Sequence, residues 1–109
     1  MEGLIKENEN WRVRKRGDDF AVTSRKGRFT FYLHGSIEKV IFVRGLKAAY
    51  QHSQLTGREF YFFSLNAFFG MWLSVEDIKF LLDAFPLSES EKQLAIEEET
   101  LSQGTASLH

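Results

Sequence analysis

The sequence predicts a single α+β domain over residues 10–86, with an antiparallel sheet of about five strands packed by a C-terminal helix. Two observations predict this class. Short segments of alternating apolar and polar residues fill the first part of the chain, and one well-capped amphipathic pattern follows near its end. The 109 residues suffice for one modest core. Eleven Phe residues predict that this core is rich in rings.

The first predicted strand covers residues 11–16, where a ring or aliphatic side chain alternates with a cation. This spacing places Arg12, Arg14 and Arg16 on one face of the strand. The Gly-Asp-Asp sequence at 17–19 predicts a turn, because Gly tolerates positive φ and Asp bonds to its own backbone. The chain should therefore reverse there and form a second strand beside the first.

Two further strands are predicted over residues 20–24 and 28–34. The Arg-Lys-Gly sequence at 25–27 is typical of a tight reversal between them. Large apolar residues alternate with polar or charged ones through the second segment, which indicates a half-buried strand. These three strands are predicted to form a meander.

The middle of the chain predicts a mixture of elements. Residues 40–43 are a short apolar run, which favours a strand buried on both faces. Residues 46–55, with Gly57 as a C-terminal cap, predict a short second helix. Residues 58–65 and 68–73 predict the two strands of an aromatic hairpin.

The helix predicted for residues 74–85 carries the clearest signals. Ser74 is a favourable N-cap, and Glu76 and Asp77 place acids in the first turn, where they complement the helix dipole. Apolar residues follow at helical spacing, which predicts a stripe that packs onto the sheet. Pro86 then ends the helix.

Both ends of the chain are predicted to lie outside the domain. Residues 1–9 are predicted to be a flexible N-terminus, and residues 87–109 a disordered, mobile acidic tail with too few apolar residues to hold it down. Such a tail either keeps the protein soluble or folds back on a basic surface and competes with a ligand.

Composition excludes several classes of protein. The absence of Cys excludes disulfides, thiolate metal sites and a cysteine nucleophile. The first ten residues lack the apolar core of a signal peptide, and no apolar run reaches the roughly 20 residues that cross a bilayer as a helix. We therefore expect a cytoplasmic protein with no membrane partner.

Patterns for catalysis and metal binding are weak. The three His residues are far apart in the sequence. No Gly-rich phosphate loop is present, and the adjacent acids Asp18 and Asp19 are explained as turn formers. The sequence predicts no catalytic residues, no metal and no cofactor.

Charge is divided unevenly along the chain. Residues 10–58 hold eleven Lys and Arg against three acids, whereas residues 59–109 hold two against nine. This asymmetry favours a polyanionic partner. The candidate contact residues are cations and rings of the first three predicted strands and the turn after the second: Arg12, Arg14, Arg16, Arg25, Lys26, Arg28, Phe29 and Tyr32.

A sheet face with cations and rings suits single-stranded DNA or RNA, because cations follow phosphates and rings stack on unpaired bases. We therefore predict a non-catalytic single-stranded nucleic-acid-binding protein. The same charges are also typical of a solvated strand face that discourages aggregation. The alternative function is a protein-interaction module that docks on a partner enzyme through the aromatic hairpin. Rings in that hairpin belong either to the core or to a dimer surface.

Two motifs resemble those of known nucleic-acid-binding domains. The sequence Arg-Lys-Gly-Arg-Phe at 25–29 is similar to the turn between the first two strands of Pur repeats. Residues 71–77 resemble the last strand and helix start of Pur-alpha and positive-cofactor-four type domains, and the likeness covers about residues 11–85. Residues 45–57 and the tail depart from that pattern. The resemblance implies a homodimer whose sheets bind single strands, with contacts from Arg25, Lys26, Arg28 and Phe29.

Overall fold

The structure is a computed structural model that describes residues 2–64 and 70–94, apart from the side chains of Glu2 and Phe62. It confirms the α+β class, with a four-stranded antiparallel sheet, a separate two-stranded sheet and two main helices. In chain order the elements are β1 (Glu2–Glu7), β2 (Trp11–Arg16), β3 (Asp19–Ser24), β4 (Phe29–His34), α1 (Gly35–Thr56), β5 (Phe60–Ser64), β6 (Gly70–Ser74) and α2 (Val75–Ala84).

The larger sheet is a meander with strand order β1-β2-β3-β4. Val13, Val22 and Phe31 lie opposite one another across β2, β3 and β4, and the two valines are fully buried. Alternation along each strand therefore sends one set of side chains into the core, where they meet residues of both helices. The predicted strands 11–16, 20–24 and 28–34 are confirmed to within one residue.

The strand β1 differs from the flexible N-terminus expected for residues 1–9. It pairs with β2, with a register shift between Leu4 and Lys6. Charged side chains hold this strand: the Glu7 carboxylate accepts a hydrogen bond from Arg12, and Lys6 Nζ lies 3.5 Å from a carboxylate oxygen of Asp83. Hydrophobic alternation cannot reveal a strand that is held by backbone pairing and ion pairs.

The helix α1 replaces a predicted strand. Residues 40–43 were expected to be extended, but they lie within this 22-residue helix, so that prediction is wrong. Val40, Val43 and Leu46 follow at helical spacing, and all are buried. Burial of this face therefore outweighs the strand preference of the β-branched residues. The predicted helix 46–55 is the second half of α1.

Gly57 ends α1 as the sequence predicts. Its φ is 71°, in the left-handed region, and its N–H donates to the Ser53 carbonyl over 2.8 Å. The chain then enters β5, which pairs with β6 to form the two-stranded sheet. The hairpin strands predicted for 58–65 and 68–73 are thus confirmed with slightly shifted ends; residues 65–69 lie outside the described residues.

The start of α2 is fixed by reciprocal hydrogen bonds. Ser74 Oγ accepts from the Asp77 N–H over 3.1 Å, and the Asp77 carboxylate accepts from the Ser74 N–H over 3.0 Å. The same carboxylate also accepts a 2.9 Å hydrogen bond from the indole of Trp11. The predicted N-cap is confirmed, and α2 ends at Ala84, shortly before Pro86.

The core is a cluster of aromatic rings around Phe42 of α1. Its ring lies 5.6 Å from Phe31, 5.5 Å from Phe63 and 5.7 Å from Phe85, measured between centroids, and all three contacts are edge to face. A ring from each sheet and the ring that directly follows α2 thus all contact the same residue of α1. Gly45 allows this approach, because a Cβ there would lie 2.9 Å from the Phe63 ring.

The segment after Pro86 is partly ordered, in contrast to the disordered tail predicted for residues 87–109. Residues 89–94 are helical, and Ser88 and Glu91 bond each other's backbone N–H groups. Glu91 also forms a 2.9 Å ion pair with Lys39 of α1, in which the side chains are 12% and 10% exposed. Residues 95–109 lie outside the described residues.

None of the helices in residues 2–64 and 70–94 combines the length and apolar character needed to cross a bilayer.

Replacement of Asp77 by Ala should lower the free energy of unfolding by about 2–3 kcal/mol. Loss of the cap costs about 1 kcal/mol, and the buried Trp11 N–H loses its acceptor at a similar cost. The exposed neighbour Glu76 is the matched control, and Glu76→Ala should change stability by less than about 0.5 kcal/mol. Urea unfolding followed by circular dichroism measures both; equal effects would contradict this role of Asp77.

The pair Lys39–Glu91 should show measurable coupling in a double-mutant cycle of Lys39→Met and Glu91→Gln. We expect about 1–3 kcal/mol, because both side chains are largely buried. The exposed pair Lys92–Glu89, at 3.5 Å, is the matched control and should give less than about 0.5 kcal/mol.

This coupling should also depend on pH. Burial raises the pKa of Glu91, but hydrogen bonds from Ser88 and Lys39 outweigh it, so the pKa lies below its ordinary value of 4.5. The ionised form is therefore favoured in the folded state. The stabilisation should be complete above about pH 4.5 and decline as the pH falls through the lowered pKa. Coupling that stays constant at every pH below 4.5 down to acid unfolding would contradict the assignment.

Candidate nucleic-acid interface

The candidate interface is the face of the four-stranded sheet that points away from both helices, here named the outer face. Side chains of the opposite, inner face, such as Trp11, Val13 and Leu33, are buried in the core with residues of α1 and α2. Alternation therefore directs the other set outward. The outer face consists of Leu4, Glu7, Arg12, Arg14, Arg16, Asp19, Ala21, Thr23, Thr30, Tyr32 and His34.

The middle row of the outer face combines a cation, a small residue and a ring. Arg14, Ala21 and Tyr32 lie opposite one another on β2, β3 and β4. Tyr32 is 52% exposed, whereas Ala21 is only 4% exposed, so longer side chains around it cover it. In this row the Tyr32 ring and the Arg14 side chain therefore lie on either side of the small side chain of Ala21.

A second ring extends this row along β4. The rings of Tyr32 and His34 lie 6.4 Å apart with an interplanar angle of 19°. His34 Nδ1 is also 3.3 Å from a carboxylate oxygen of Asp19, which is in register with Arg16. The end of the outer face near Arg16 is therefore mixed in charge.

Carboxylates reduce the positive charge of the outer face. Glu7 on β1 is paired with Arg12, and the hydrogen bond from that guanidinium holds the pKa of Glu7 below its ordinary value. The charge count over residues 10–58 did not include Glu7, because residues 1–9 were expected to lie outside the sheet. The surface is basic and aromatic, but less positive than the charge of residues 10–58 suggests.

The turn between β3 and β4 carries three more predicted contact residues, Arg25, Lys26 and Arg28, and all are exposed. Arg25 Nη1 donates to the Asn8 carbonyl over 3.2 Å, and Arg28 adopts a φ of 58°. Ser24 and Phe29 form the last pair of the β3–β4 ladder before this turn. The turn therefore lies at the end of the outer face where Arg12 is found. The structure therefore places cations at both ends of the outer face.

Phe29 lies on the other side of the sheet from Tyr32. It is half-buried against the core, and its ring stacks on Phe31 at 6.4 Å. Alternation along β4 separates the two predicted contact residues. Phe29 therefore packs with the inner face, and the seven other predicted residues lie on the outer face or on the turn beside it.

Comparison of the chain with protein-family models, curated proteins and solved structures finds no match. The resemblance to Pur-alpha and positive-cofactor-four type domains therefore stays a prediction.

The described residues contain no group of three or more His, Asp or Glu side chains that could hold a metal ion. His34 contacts Asp19 and Tyr32, and His52 packs against the ring of Tyr61 at 5.3 Å. Each of these two histidines therefore packs against neighbouring residues of the fold.

Leu4, Glu7 and His34 are among the outer-face residues that the sequence did not single out. Leu4 and Glu7 lie on β1, whose pattern carries no clear alternation. His34 continues the alternation of Thr30 and Tyr32 along β4, so the periodicity of that strand was a usable signal.

Proposed function

We propose that the protein binds single-stranded DNA or RNA through its outer face, without catalysis. The observation that supports this proposal best is the row in which the exposed Tyr32 ring and the Arg14 side chain flank Ala21. Rings on an open sheet face stack on unpaired bases, and neighbouring cations contact the phosphates. Within residues 2–64 and 70–94 the helices pack on the inner face, and Tyr32 on the outer face is exposed.

The positions of the cations indicate the path that a bound nucleic-acid strand would take across the outer face. The exposed turn residues Arg25, Lys26 and Arg28 lie at one end of the outer face, and Arg16 lies at the other. A six-residue strand spans about 20 Å, so a short run of nucleotides suffices to connect the two ends. Arginine suits this role because its guanidinium contacts phosphate in a bidentate manner and stacks on bases.

The acids on the outer face limit the strength of this binding. Glu7 already engages Arg12, and Asp19 lies beside Arg16 in the sheet. We therefore expect only three to four effective phosphate contacts, corresponding to a slope of about −2 to −3 in a plot of log affinity against log salt. Binding to double-stranded DNA should be weaker, since a duplex hides the faces of its bases from Tyr32.

Fluorescence anisotropy with a labelled oligonucleotide of about 15 nucleotides tests the proposal. Simultaneous replacement of Arg12, Arg14 and Arg16 by Ala should lower affinity at least tenfold and reduce the salt slope by about 1, because Glu7 and Asp19 already offset part of their charge. The control replaces Lys47, Lys79 and Lys92, which are exposed cations on helices rather than on the outer face. Absence of binding at micromolar protein and low salt, or equal losses in both triple variants, would refute the proposal.

A second pair of variants separates the two faces of β4. Tyr32→Leu should weaken binding about tenfold, because one stacked base contributes about 1–3 kcal/mol. Phe29→Leu should leave affinity unchanged and lower the thermal unfolding midpoint, because this ring packs on the core. The reverse pattern would place the contact on the inner side and contradict the proposed interface.

A further inference from the structure

The two-stranded sheet exposes large aromatic side chains that the outer face does not involve. Phe60 of β5 is 56% exposed and Trp72 of β6 is 65% exposed. Tyr61, Phe63 and Met71 alternate with them and are buried in the core. The solvent side of this sheet, here named the hairpin face, also includes Ser64 and Ser74 by alternation and carries no charged residue.

A cleft of about 550 Å³ adjoins the hairpin face where the end of α1 meets the start of α2. Phe60 forms part of its lining, together with Gln54, Glu59, Val75 and Glu76. This volume lies within the range of about 300–1,000 Å³ that small ligands and peptide side chains occupy. Phe60 belongs both to the hairpin face and to the lining of the cleft, so the two surfaces are continuous.

The charges that line the cleft favour a cation. Within the described part of the chain Glu59 has no ion-pair partner, and Glu76 is 86% exposed and only 3.8 Å from Lys79. The one cation of the lining, Arg58, lies over the Tyr61 ring at 5.6 Å from its centroid. The Glu59 carboxylate is therefore available to a ligand beside the exposed ring of Phe60, and the exposed Glu76 carboxylate shares its charge with Lys79.

Two backbone N–H groups at the start of α2 are already bonded within the protein. The Asp77 N–H is bonded to Ser74 Oγ, and the Val75 N–H donates to the Glu59 carbonyl over 3.1 Å. These backbone donors are thus already used within the protein. Two carboxylates against one arginine in the lining make the cleft a poorer site for phosphate groups than the outer face.

We propose that the hairpin face and its cleft bind an extended peptide segment of a partner protein in which a lysine or arginine lies between apolar residues. The cation enters the cleft, contacts the carboxylates of Glu59 and Glu76 and lies against the ring of Phe60. The apolar neighbours cover Trp72, in the manner of aromatic residues that dominate the energy of protein interfaces. This activity is independent of nucleic-acid binding, because the site shares no residue with the outer face.

Anisotropy with a short labelled peptide in which leucine alternates with arginine tests this proposal. The arginine peptide should bind, and the same peptide with glutamate in place of arginine should not. Affinity should fall at least tenfold in Trp72→Ala and in Glu59→Gln. The matched control Ile37→Ala removes another exposed apolar side chain, 60% exposed on α1, and should leave affinity unchanged.

Two further measurements keep the outcome decisive. Circular dichroism should show equal folding of all variants, since the replaced side chains are exposed; Trp72→Phe, which keeps a ring, should retain most of the affinity if Trp72→Ala proves unstable. The triple Arg variant of the outer face should bind the peptide normally. No binding, binding insensitive to both Trp72→Ala and Glu59→Gln, or sedimentation showing self-association that Trp72→Ala abolishes would each overturn the proposal.

Discussion

The Asp77 carboxylate joins the four-stranded sheet, the two-stranded sheet and α2 through hydrogen bonds of a single side chain. One of its oxygens accepts from the indole of Trp11 in the four-stranded sheet, and the other accepts from the N–H of Ser74, where the two-stranded sheet ends. Because α2 begins at this point, the same side chain fixes the helix start and its position over β2. The ring cluster around Phe42 then fills the space that this arrangement encloses. Both binding surfaces proposed for the protein depend on this arrangement, since each is the outward side of a sheet whose inner side packs on that core.

Strong local signals predicted the fold where they were present. Strands β2 to β4 follow from alternation, and α2 follows from the Ser74 cap and its apolar stripe. Two elements did not follow. Residues 40–43 have a strand-like composition, but Val40, Phe42 and Val43 are buried with Leu46 at helical spacing, whereas Ile41 is exposed. The N-terminal strand depends on contacts with Arg12 and Asp83, which lie five and 77 residues away from Glu7 and Lys6 in the sequence. Contacts of that kind cannot be recognised in a local window.

The candidate site was predictable to the extent that it follows strand periodicity. Arg12, Arg14 and Arg16 share a face because they alternate on one strand, and the sheet register adds Tyr32 beside them. Phe29 was selected from the likeness of a turn motif, and alternation along β4 places it on the inner face instead. Glu7 offsets the charge of Arg12 because β1 lies beside β2. A prediction that leaves β1 out of the sheet therefore cannot include this effect. Local spacing therefore predicts which cations share a face, whereas the net charge of that face depends on tertiary pairing.

The ion pair between Glu91 and Lys39 determines how the acidic end of the chain can be studied. Lys39 is mostly buried, and its ammonium lies 5.3 Å from the centroid of Phe20. A shortened protein that ends at Pro86 would lose both the carboxylate partner of Lys39 and the packing of Leu87 on the core, at a cost to folding. Loss of stability in such a protein would then be mistaken for a direct effect of the acidic residues on binding. Shortening the chain after Leu94 keeps the pair and removes only the residues beyond it, including Glu97, Glu98 and Glu99.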